Sequence, residues 1–236
     1  MVTNRVFALV SLVLASALLG GCATTPTATS SAPVTEWDGL VRQPHPRLDA
    51  VFVRPATQQE MAAFRSVILD PVDVSFSSEF ESGRRTGINS RGLDATDLAG
   101  IRRNLADEFQ TVFREELQGG GYQVVDAPGP ETLRVSAAIV DLFIAAPEAA
   151  QPMGRSRTYT ANSGRMTLVL ELRDSVTGEI LVRAVDAQSA RGSGTWTVTN
   201  RATNTADARR ALRTWARALR VGLDDFHAKA NRGASN

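Results

Sequence analysis

The stretch MTLVLELRDSVTGEILVRAV, residues 166–185, contains the clearest structural signal in the sequence. The alternating apolar residues of its first half are Met166, Leu168, Leu170 and Leu172. A period of two is typical of a β-strand with one buried face. Residues 174–179 contain the turn formers Asp, Ser and Gly, and residues 180–185 alternate again, so the stretch predicts a β-hairpin. We expect its charged residues to pair across the solvent-facing side; they are Glu171, Arg173, Arg183 and Asp186.

Two amphipathic helices, at residues 94–118 and 204–231, are predicted on either side of this hairpin in the sequence. Apolar residues recur at three- and four-residue spacing in both. In the first helix these are Leu98, Ile101, Leu105, Phe109, Val112, Phe113 and Leu117. In the second they are Leu212, Trp215, Leu219, Leu223 and Phe226. Asp94 and Asn204 are suitable N-caps, and the three glycines at 119–121 are expected to end the first helix.

The remaining apolar runs predict further strands at residues 50–53, 66–76, 122–126 and 132–146. Pro71 interrupts the second run and predicts an edge or a bulge, because proline cannot donate a ladder hydrogen bond. Residues 132–146 are apolar on both faces, which predicts a central strand covered at least in part on both sides. The polar residues 77–93 predict a loop. The fold class expected from this order is α/β (α+β), with a mostly antiparallel sheet and both helices on one face.

The amino-terminal residues have the features of an export signal. Arg5 precedes an apolar run at residues 6–19, which is shorter than the about 20 residues of a membrane-spanning helix. Gly20 and Gly21 directly precede Cys22, and this end resembles the lipobox of bacterial lipoproteins. The resemblance implies cleavage between Gly21 and Cys22, diacylation of the Cys22 sulfur and acylation of its new amine. Two or more acyl chains make a stable anchor. An ordinary signal peptide with a chance cysteine is the alternative.

We therefore expect the chain to consist of four parts. These are a signal peptide at 1–21, the acylated cysteine with a flexible tether at 22–46, a single periplasmic domain at 47–232 and a disordered tail at 233–236. Ala23, and not an aspartate, follows the cysteine. By the same resemblance, this implies the periplasmic side of the cell outer membrane. Trp37 is expected to dock on the domain, with insertion into the membrane interface as the alternative.

Composition excludes some classes of function. Removal of Arg5 with the signal peptide leaves equal numbers of basic and acidic residues, and a nucleic-acid-binding protein is expected to be basic. Cys22 is the only cysteine, so no internal disulfide can form. His45 and His227 are the only histidines, and they do not suffice for a zinc or copper site of the usual ligand set. We expect no metal and no cofactor.

Two segments are candidates for function. Asp70 and Asp73 flank Pro71 and could form a catalytic pair or a metal site, although capping of local backbone amides is the simpler use. The second candidate is the long loop 147–163, since exposed loops on rigid scaffolds often carry binding. Its candidate partner-contact residues are Met153, Arg155, Arg157 and Tyr159. An irregular crossover between strands is the alternative for this loop.

Several short motifs, in order, resemble one bacterial lipoprotein family. They are FVRP at 52–55, VILDPV at 67–72, VDAPGPETL at 125–133, DSVTGEIL at 174–181 with Arg183 and Asp186, and Trp215. This combination is similar to the lipoprotein family called domain of unknown function 3313, from about Trp37 to about Phe226. The resemblance implies an outer-membrane lipoprotein of a Gram-negative bacterium. The family has no established activity, so it implies no catalytic residues.

Two hypotheses of function follow. The first is a non-enzymatic adaptor, anchored in the bilayer through Cys22, that binds another envelope protein or peptidoglycan. The second is a hydrolase of envelope glycans or lipids that uses carboxylates such as Asp70 and Asp73.

Overall fold

A mixed β-sheet and two long helices make up the fold in the computed structural model. The structure describes residues 36–55, 57–86, 93–144, 159–160, 162–191, 197–198 and 201–233. The helices are α1 (Gln58–Met61), α2 (Ser78–Thr86), α3 (Ala95–Gly119) and α4 (Arg201–Gly233). The strands are β1 (Glu36–Trp37), β2 (Leu40–Gln43), β3 (Ala50–Val53), β4 (Ser66–Leu69), β5 (Asp73–Phe76), β6 (Gln123–Val124), β7 (Thr132–Ile144), β8 (Tyr159–Thr160), β9 (Asn162–Asp174), β10 (Ile180–Arg191) and β11 (Thr197–Val198).

The main sheet has the strand order β1-β2-β3-β10-β9-β7-β4-β6, and β5 also pairs with β7. The predicted hairpin is β9–β10, with Leu170 opposite Ala184 and Glu171 opposite Arg183. β3 pairs with β10 and β7 pairs with β9, and both pairs are antiparallel. The pairs β1–β2 and β2–β3 are also antiparallel. Only the pairs made by β4, β5 and β6 are parallel among the described strands of this sheet. The predicted mixed α/β class is confirmed, and most strand pairs are antiparallel.

Pro71 divides the predicted strand 66–76 into β4 and β5. Both are parallel to β7: Val67 of β4 lies opposite Leu133, and Val74 of β5 lies opposite Ile139 further along the same strand. The ladder is interrupted at the proline because this residue has no amide hydrogen to donate. The interruption that the sequence predicted is therefore present.

Helix α2 replaces part of the loop predicted at residues 77–93, so that prediction was wrong for residues 78–86. The hydroxyl of Ser77 accepts the backbone N–H of Phe80 at 3.1 Å, which is the contact of an N-cap. Phe80 is fully buried, stacked on Phe76 with ring centroids 4.8 Å apart, and edge-on to Phe143. Among the α2 side chains that the structure describes, residues 78–83, Phe80 alone is buried and holds this polar helix on the domain. A single buried position gives no periodic signal in the sequence.

The sheet also begins earlier than the sequence predicted, since the tether was expected to extend to Pro46. Strands β1 and β2 form a hairpin through Asp38 and Gly39, whose φ angles of 54° and 74° make a two-residue turn that suits strand twist. The guanidinium of Arg183 lies 4.0 Å from the centroid of the Trp37 ring and donates to Asp38 Oδ2 at 2.9 Å. Trp37 thus docks on the sheet, and 40% of it remains exposed.

Local capping fixes both ends of α3, as the sequence predicted. The Asp94 carboxylate accepts the N–H of Asp97 at 2.8 Å, and the Asp97 carboxylate accepts the N–H of Asp94 at 3.1 Å. At the other end, Tyr122 donates its N–H to the carbonyl of Leu117, and Gly121 has a φ of 88°. Glycine adopts this left-handed conformation without a steric penalty.

Helices α3 and α4 cover one face of the hairpin sheet. The predicted apolar stripes form the core with Leu168, Leu170 and Leu172 of β9. Along α3 the buried residues are Leu98, Leu105, Phe109, Val112, Phe113 and Leu117. Along α4 the buried apolar residues include Leu212, Trp215, Ala216, Ala218, Leu219 and Leu223. Each large apolar side chain buried here contributes about 1.5–3 kcal/mol, so this layer supplies much of the stability.

The four charged residues of the hairpin do not share one face. Glu171 lies between Arg173 and Arg183 and pairs with both. Asp186 is three residues after Arg183 and therefore points to the opposite face, where it is 3% exposed under the helices. The predicted pairing across one face is therefore correct for Glu171, Arg173 and Arg183, and it is wrong for Asp186.

A β-bulge in β7 changes which side chains face the helices. Asp141 has a φ of 54°, and the register with β9 shifts between Val140 and Phe143. The extra residue turns Leu142 into the core beneath the helices, where it is buried. Simple alternation would have placed position 141 there.

We expect replacement of Gly164 by alanine to destabilise the domain. A Cβ at this position would lie 2.8 Å from the carbonyl oxygen of Phe143, which is backbone and cannot move aside easily. The strain should lower the free energy of unfolding by about 1–3 kcal/mol, measured by urea denaturation. Gly222→Ala in α4 is the control, since nothing lies within 4 Å of its Cβ, and it should stabilise by up to about 1 kcal/mol. Equal stability of the two variants would contradict the close approach.

Candidate functional site

A groove of about 1020 Å³ lies between the first halves of α3 and α4, and we call it the α3–α4 groove. Two ion pairs, Glu108 with Arg209 and Glu116 with Arg220, show that the helices lie side by side and run in the same direction. The ends of β7, β9 and β10 also line the groove. On α3 the lining residues extend from Thr96 to Thr111.

Small residues on both helices keep this space open. On α4, Ala208 and Ala211 line the groove, while the same stripe further along the helix carries Trp215, which is 1% exposed. On α3, Gly100 lines the groove and nothing lies within 4 Å of a Cβ placed on it. The later part of α3 instead carries Phe109, which stacks on another ring of the same helix with centroids 3.9 Å apart. The groove is therefore the region where the helix stripes lack large side chains.

Apolar side chains from several elements form one part of the groove lining, and polar side chains form the other part. Ile101 and Leu105 come from α3, Leu142 and Ile144 from β7, and Met166 from β9. Leu105, Leu142 and Met166 are also buried members of the main core, so the groove opens directly onto it. Concave sites lined by apolar side chains with a few polar groups are typical of ligand-binding pockets.

The charged residues at the groove are mostly paired with one another or with close neighbours. Arg165 pairs with Glu79 and lies 4.6 Å from the ring centroid of Phe143. Asp207 pairs with Arg210 at 2.7 Å. Glu108 pairs with Arg209 at 2.6 Å, and Asp97 forms the helix cap described above. Arg47 and Asp107 add one charge of each sign. The groove therefore presents charges of both signs without a strong excess of either.

A buried carboxylate fixes α4 against the sheet next to the groove. The Oδ2 of Asp186 accepts the indole N–H of Trp215 at 2.7 Å and the amide N–H of Gln188 at 2.6 Å. Its Oδ1 accepts the backbone N–H of Asp49 at 3.1 Å. Gln188 itself lines the groove. Loss of a hydrogen-bond partner from a buried carboxylate costs about 1–3 kcal/mol or more, so this network holds the wall of the groove in place.

A second polar cluster ties the end of α4 to the chain around β4 and β6. The hydroxyl of Tyr122 donates to Asp224 Oδ1 at 3.0 Å, and burial together with this bond raises the pKa of Tyr122. His227 Nε2 lies 3.1 Å from the carbonyl oxygen of Phe64 and 2.7 Å from Arg65 Nη1. Burial and the nearby Arg65 lower the pKa of His227. The cluster serves to hold the helix end.

The other histidine also makes local contacts. His45 Nδ1 accepts the backbone N–H groups of Arg47 and Leu48 at 3.2 and 3.0 Å, and burial lowers its pKa. Across the described ranges, no group of three or more His, Cys, Asp or Glu side chains is arranged to hold a metal ion. In the same part of the chain, no helix is long and apolar enough to cross a membrane.

The two carboxylates that the sequence selected do not line the groove. The oxygens of Asp70 accept hydrogen bonds from Arg134 at 2.8 Å and from Ser136 at 2.7 Å. Asp73 is exposed on β5, opposite Ala138 of β7. Asp70 thus has a structural role, in which it joins β4 to β7.

The other sequence-derived site residues are not tested. Gly21, Cys22, Met153, Arg155 and Arg157 lie outside the described residues. The backbone of Tyr159 belongs to β8 and pairs with Val198 of β11, but its side chain is also outside the description.

Sequence reasoning missed the groove altogether. The available signal was a difference in residue size along each apolar stripe. In α4, for example, the small residues Ala208 and Ala211 come before the large residue Trp215. That signal has meaning only when the two helices are known to be neighbours.

Comparison with known proteins gives one family match. The model of the family "Protein of unknown function (DUF3313)" matches residues 29–219. No curated protein matches the sequence.

Solved structures show distant likeness. A minor lipoprotein from Acinetobacter baumannii has 9% identity and a TM-score of 0.33, and the match covers 67% of this chain and 90% of that one. The PelC dodecamer from Paraburkholderia phytofirmans has 12% identity and a TM-score of 0.33, with 74% and 94% covered. A Xanthomonas campestris protein of family DUF330 has 12% identity and a TM-score of 0.37, with 71% and 88% covered. At these TM-scores the likeness carries no argument about function.

We expect the domain to lose stability as the pH falls below about 7. The pKa of both His45 and His227 is lowered in the folded domain, whereas an unfolded histidine titrates near about 6.5. The unfolded chain therefore binds more protons in this range, so the contribution of the neutral histidines is complete above pH 6.5 and is lost as the pH falls towards the folded pKa values. Urea denaturation between pH 7.5 and 5.5 measures this slope.

The double variant His45→Gln/His227→Gln is the control for this dependence. Its free energy of unfolding should change less with pH over the same range, whatever its absolute stability. An unchanged slope in the double variant would show that other groups cause the effect.

Proposed function

Because the chain belongs to the DUF3313 family of proteins of unknown function, we propose that it is an envelope lipoprotein whose domain is a non-enzymatic binding module. In this proposal Cys22 carries the acyl anchor, and the domain faces the periplasm from the outer membrane. The observation that carries the binding role is the α3–α4 groove, with its apolar lining and its internally paired charges.

The sequence from Arg5 to Cys22 supports the anchor. A basic residue, an apolar run and two glycines precede the cysteine in the order that lipoprotein signals require. Acylation would also consume the only thiol of the chain, which would otherwise be exposed to oxidation outside the cytoplasm. The bilayer is then the first partner of the protein, and the groove serves a second one.

The chemistry of the groove favours binding over catalysis. General acid–base catalysis needs a group that can exchange a proton with the substrate. The carboxylates Glu108 and Asp207 each pair with an arginine, and Asp97 is engaged in the cap of α3. Asp107 is the remaining carboxylate of the lining, and hydrolysis of a glycan by carboxylates uses two of them. Asp70, which the alternative hydrolase would use, is engaged by Arg134 and Ser136.

We also propose that the partner contact extends from the groove to Met153, Arg155, Arg157 and Tyr159. The chain segment that contains them follows Ile144 and precedes Gly164, and both of these residues line the groove. Another envelope protein or peptidoglycan is the partner in this proposal.

The Cys22→Ser variant tests the anchor. We expect it to incorporate no labelled palmitate, because serine offers no sulfur for thioether formation. The measurement is palmitate labelling in growing cells, with the unchanged chain as the reference. Labelling that persists in Cys22→Ser would defeat the lipobox assignment.

Site-specific photo-cross-linking tests the binding module. A photoreactive phenylalanine at Asn104 faces the groove, and the same residue at the neighbouring exposed Arg103 lies outside it. We expect a discrete adduct in intact cells from position 104 and none from position 103, with its partner identified by mass spectrometry. Equal adducts from both positions, or none from either, would count against the groove as the contact site.

A further inference from the structure

We propose that the α3–α4 groove binds the acyl chains of a zwitterionic membrane phospholipid. This inference rests on the proposed function, since it gives the chemical class of ligand for that binding site. Four properties of the groove lead to it: its volume, its length, its lining and the signs of its charges.

The size of the groove suits a lipid better than a small metabolite. Its volume of about 1020 Å³ is at the upper end of the roughly 300–1,000 Å³ of sites for drug-sized ligands. Along α3 it extends from Thr96 to Thr111, which at 1.5 Å per residue is about 22 Å. One leaflet of the bilayer core is about 15 Å thick, so an extended acyl chain fits with space left for a head group.

The apolar part of the groove lining suits hydrocarbon. Ile101, Leu105, Leu142, Ile144 and Met166 come from three different elements and make an apolar surface next to the core. Methionine is flexible and polarisable, so Met166 can adapt to a chain without fixed shape. Transfer of each methylene group from water to this surface favours binding through the hydrophobic effect.

The charges at the groove suit a head group of both signs. Arg47 and Asp107 line the groove with one charge of each sign, which suits a phosphate and an ammonium group. Arg210 and Asp207 already pair with each other, so neither sign is in excess. A ligand with a large net negative charge, such as a nucleotide, would need several unpaired cations, which these pairs do not provide.

The test uses the full mature chain with Cys22→Ser, so that no covalent acyl chain competes for the groove. The probe is phosphatidylethanolamine with a fluorophore at the end of one acyl chain, so that the ammonium group stays free, and binding is measured by fluorescence anisotropy. We expect saturable binding to this chain. Absence of saturable binding would overturn the inference.

The key variant, Ala208→Leu/Ala211→Leu, fills the groove from α4. It should weaken binding by tenfold or more, because both positions line the site. Ala228→Leu is the matched control, since this alanine lies on an exposed face of the same helix and does not line the groove. Equal binding by the double variant and the control would overturn the proposal.

A second pair of variants serves in case the double variant does not fold. Asn104 is exposed at the edge of the groove, so Asn104→Trp should narrow it without disturbing the core, and Arg103→Trp is its control. We expect tenfold weaker binding for Asn104→Trp than for Arg103→Trp. Equal binding by these two variants would place the ligand elsewhere.

Two competitors identify the part of the lipid that is bound. Unlabelled dipalmitoyl phosphatidylethanolamine should displace the probe, whereas glycerophosphoethanolamine, which lacks acyl chains, should not. Displacement by glycerophosphoethanolamine would show a site for head groups only and overturn the proposal. Equal displacement by free palmitate at the same concentration would show a fatty-acid site and overturn the choice of phospholipid.

Together, the cross-linking and lipid-binding experiments distinguish a failure of this inference from a failure of the proposed function. If position 104 gives adducts with a partner in cells while the purified chain binds no phospholipid, the binding module is supported and the lipid ligand is wrong. If neither experiment gives a signal at the groove, both are wrong.

Discussion

The fold depends on one constraint, which is the need to remove the leucine face of β9 from water. Leu168, Leu170 and Leu172 lie on one side of the strand and can be buried only by elements that pack on that side. Two helices do this, and each presents a stripe of apolar residues. The hydrogen bond from Trp215 to Asp186 then fixes α4 on β10, because a buried carboxylate is costly without its donors.

The groove follows from the same packing. Further along α3 and α4, side chains such as Phe113 and Trp215 fill the space between the helices and the sheet. In their first halves, Gly100, Ala208 and Ala211 do not fill it, so an opening remains beside the core. The groove is open to solvent and has a volume of about 1020 Å³, close to that of large ligand-binding clefts. Its apolar lining and paired charges are suited to holding a ligand, which agrees with the role of a binding module that we propose for this DUF3313 member.

Charged groups in this domain mainly connect its elements. Arg183 joins β10 to Glu171 of β9 and to the β1–β2 turn through Asp38, and Arg220 joins α4 to Glu116 of α3. Asp70 joins β4 to β7 through Arg134. Partly buried pairs of this kind give modest net stability, but removal of one partner leaves the other charge without compensation. The network thus specifies which strands and helices lie together.

The sequence by itself determined the features that depend on neighbouring residues. The features that follow from contacts within a few positions are the β9–β10 hairpin, the cap of α3 at Asp94, the end of α3 at the glycines 119–121 and the break at Pro71. Their signals in the sequence are therefore local. Only the tertiary structure decided the parallel pairing of β4, β5 and β6, the docking of α2 through Phe80, the contact of the β1–β2 turn with Arg183 and the position of Asp186 under Trp215. The groove belongs to this second group. It forms from small residues on helices about a hundred positions apart in sequence, and no local pattern records which distant side chains will face each other across a space.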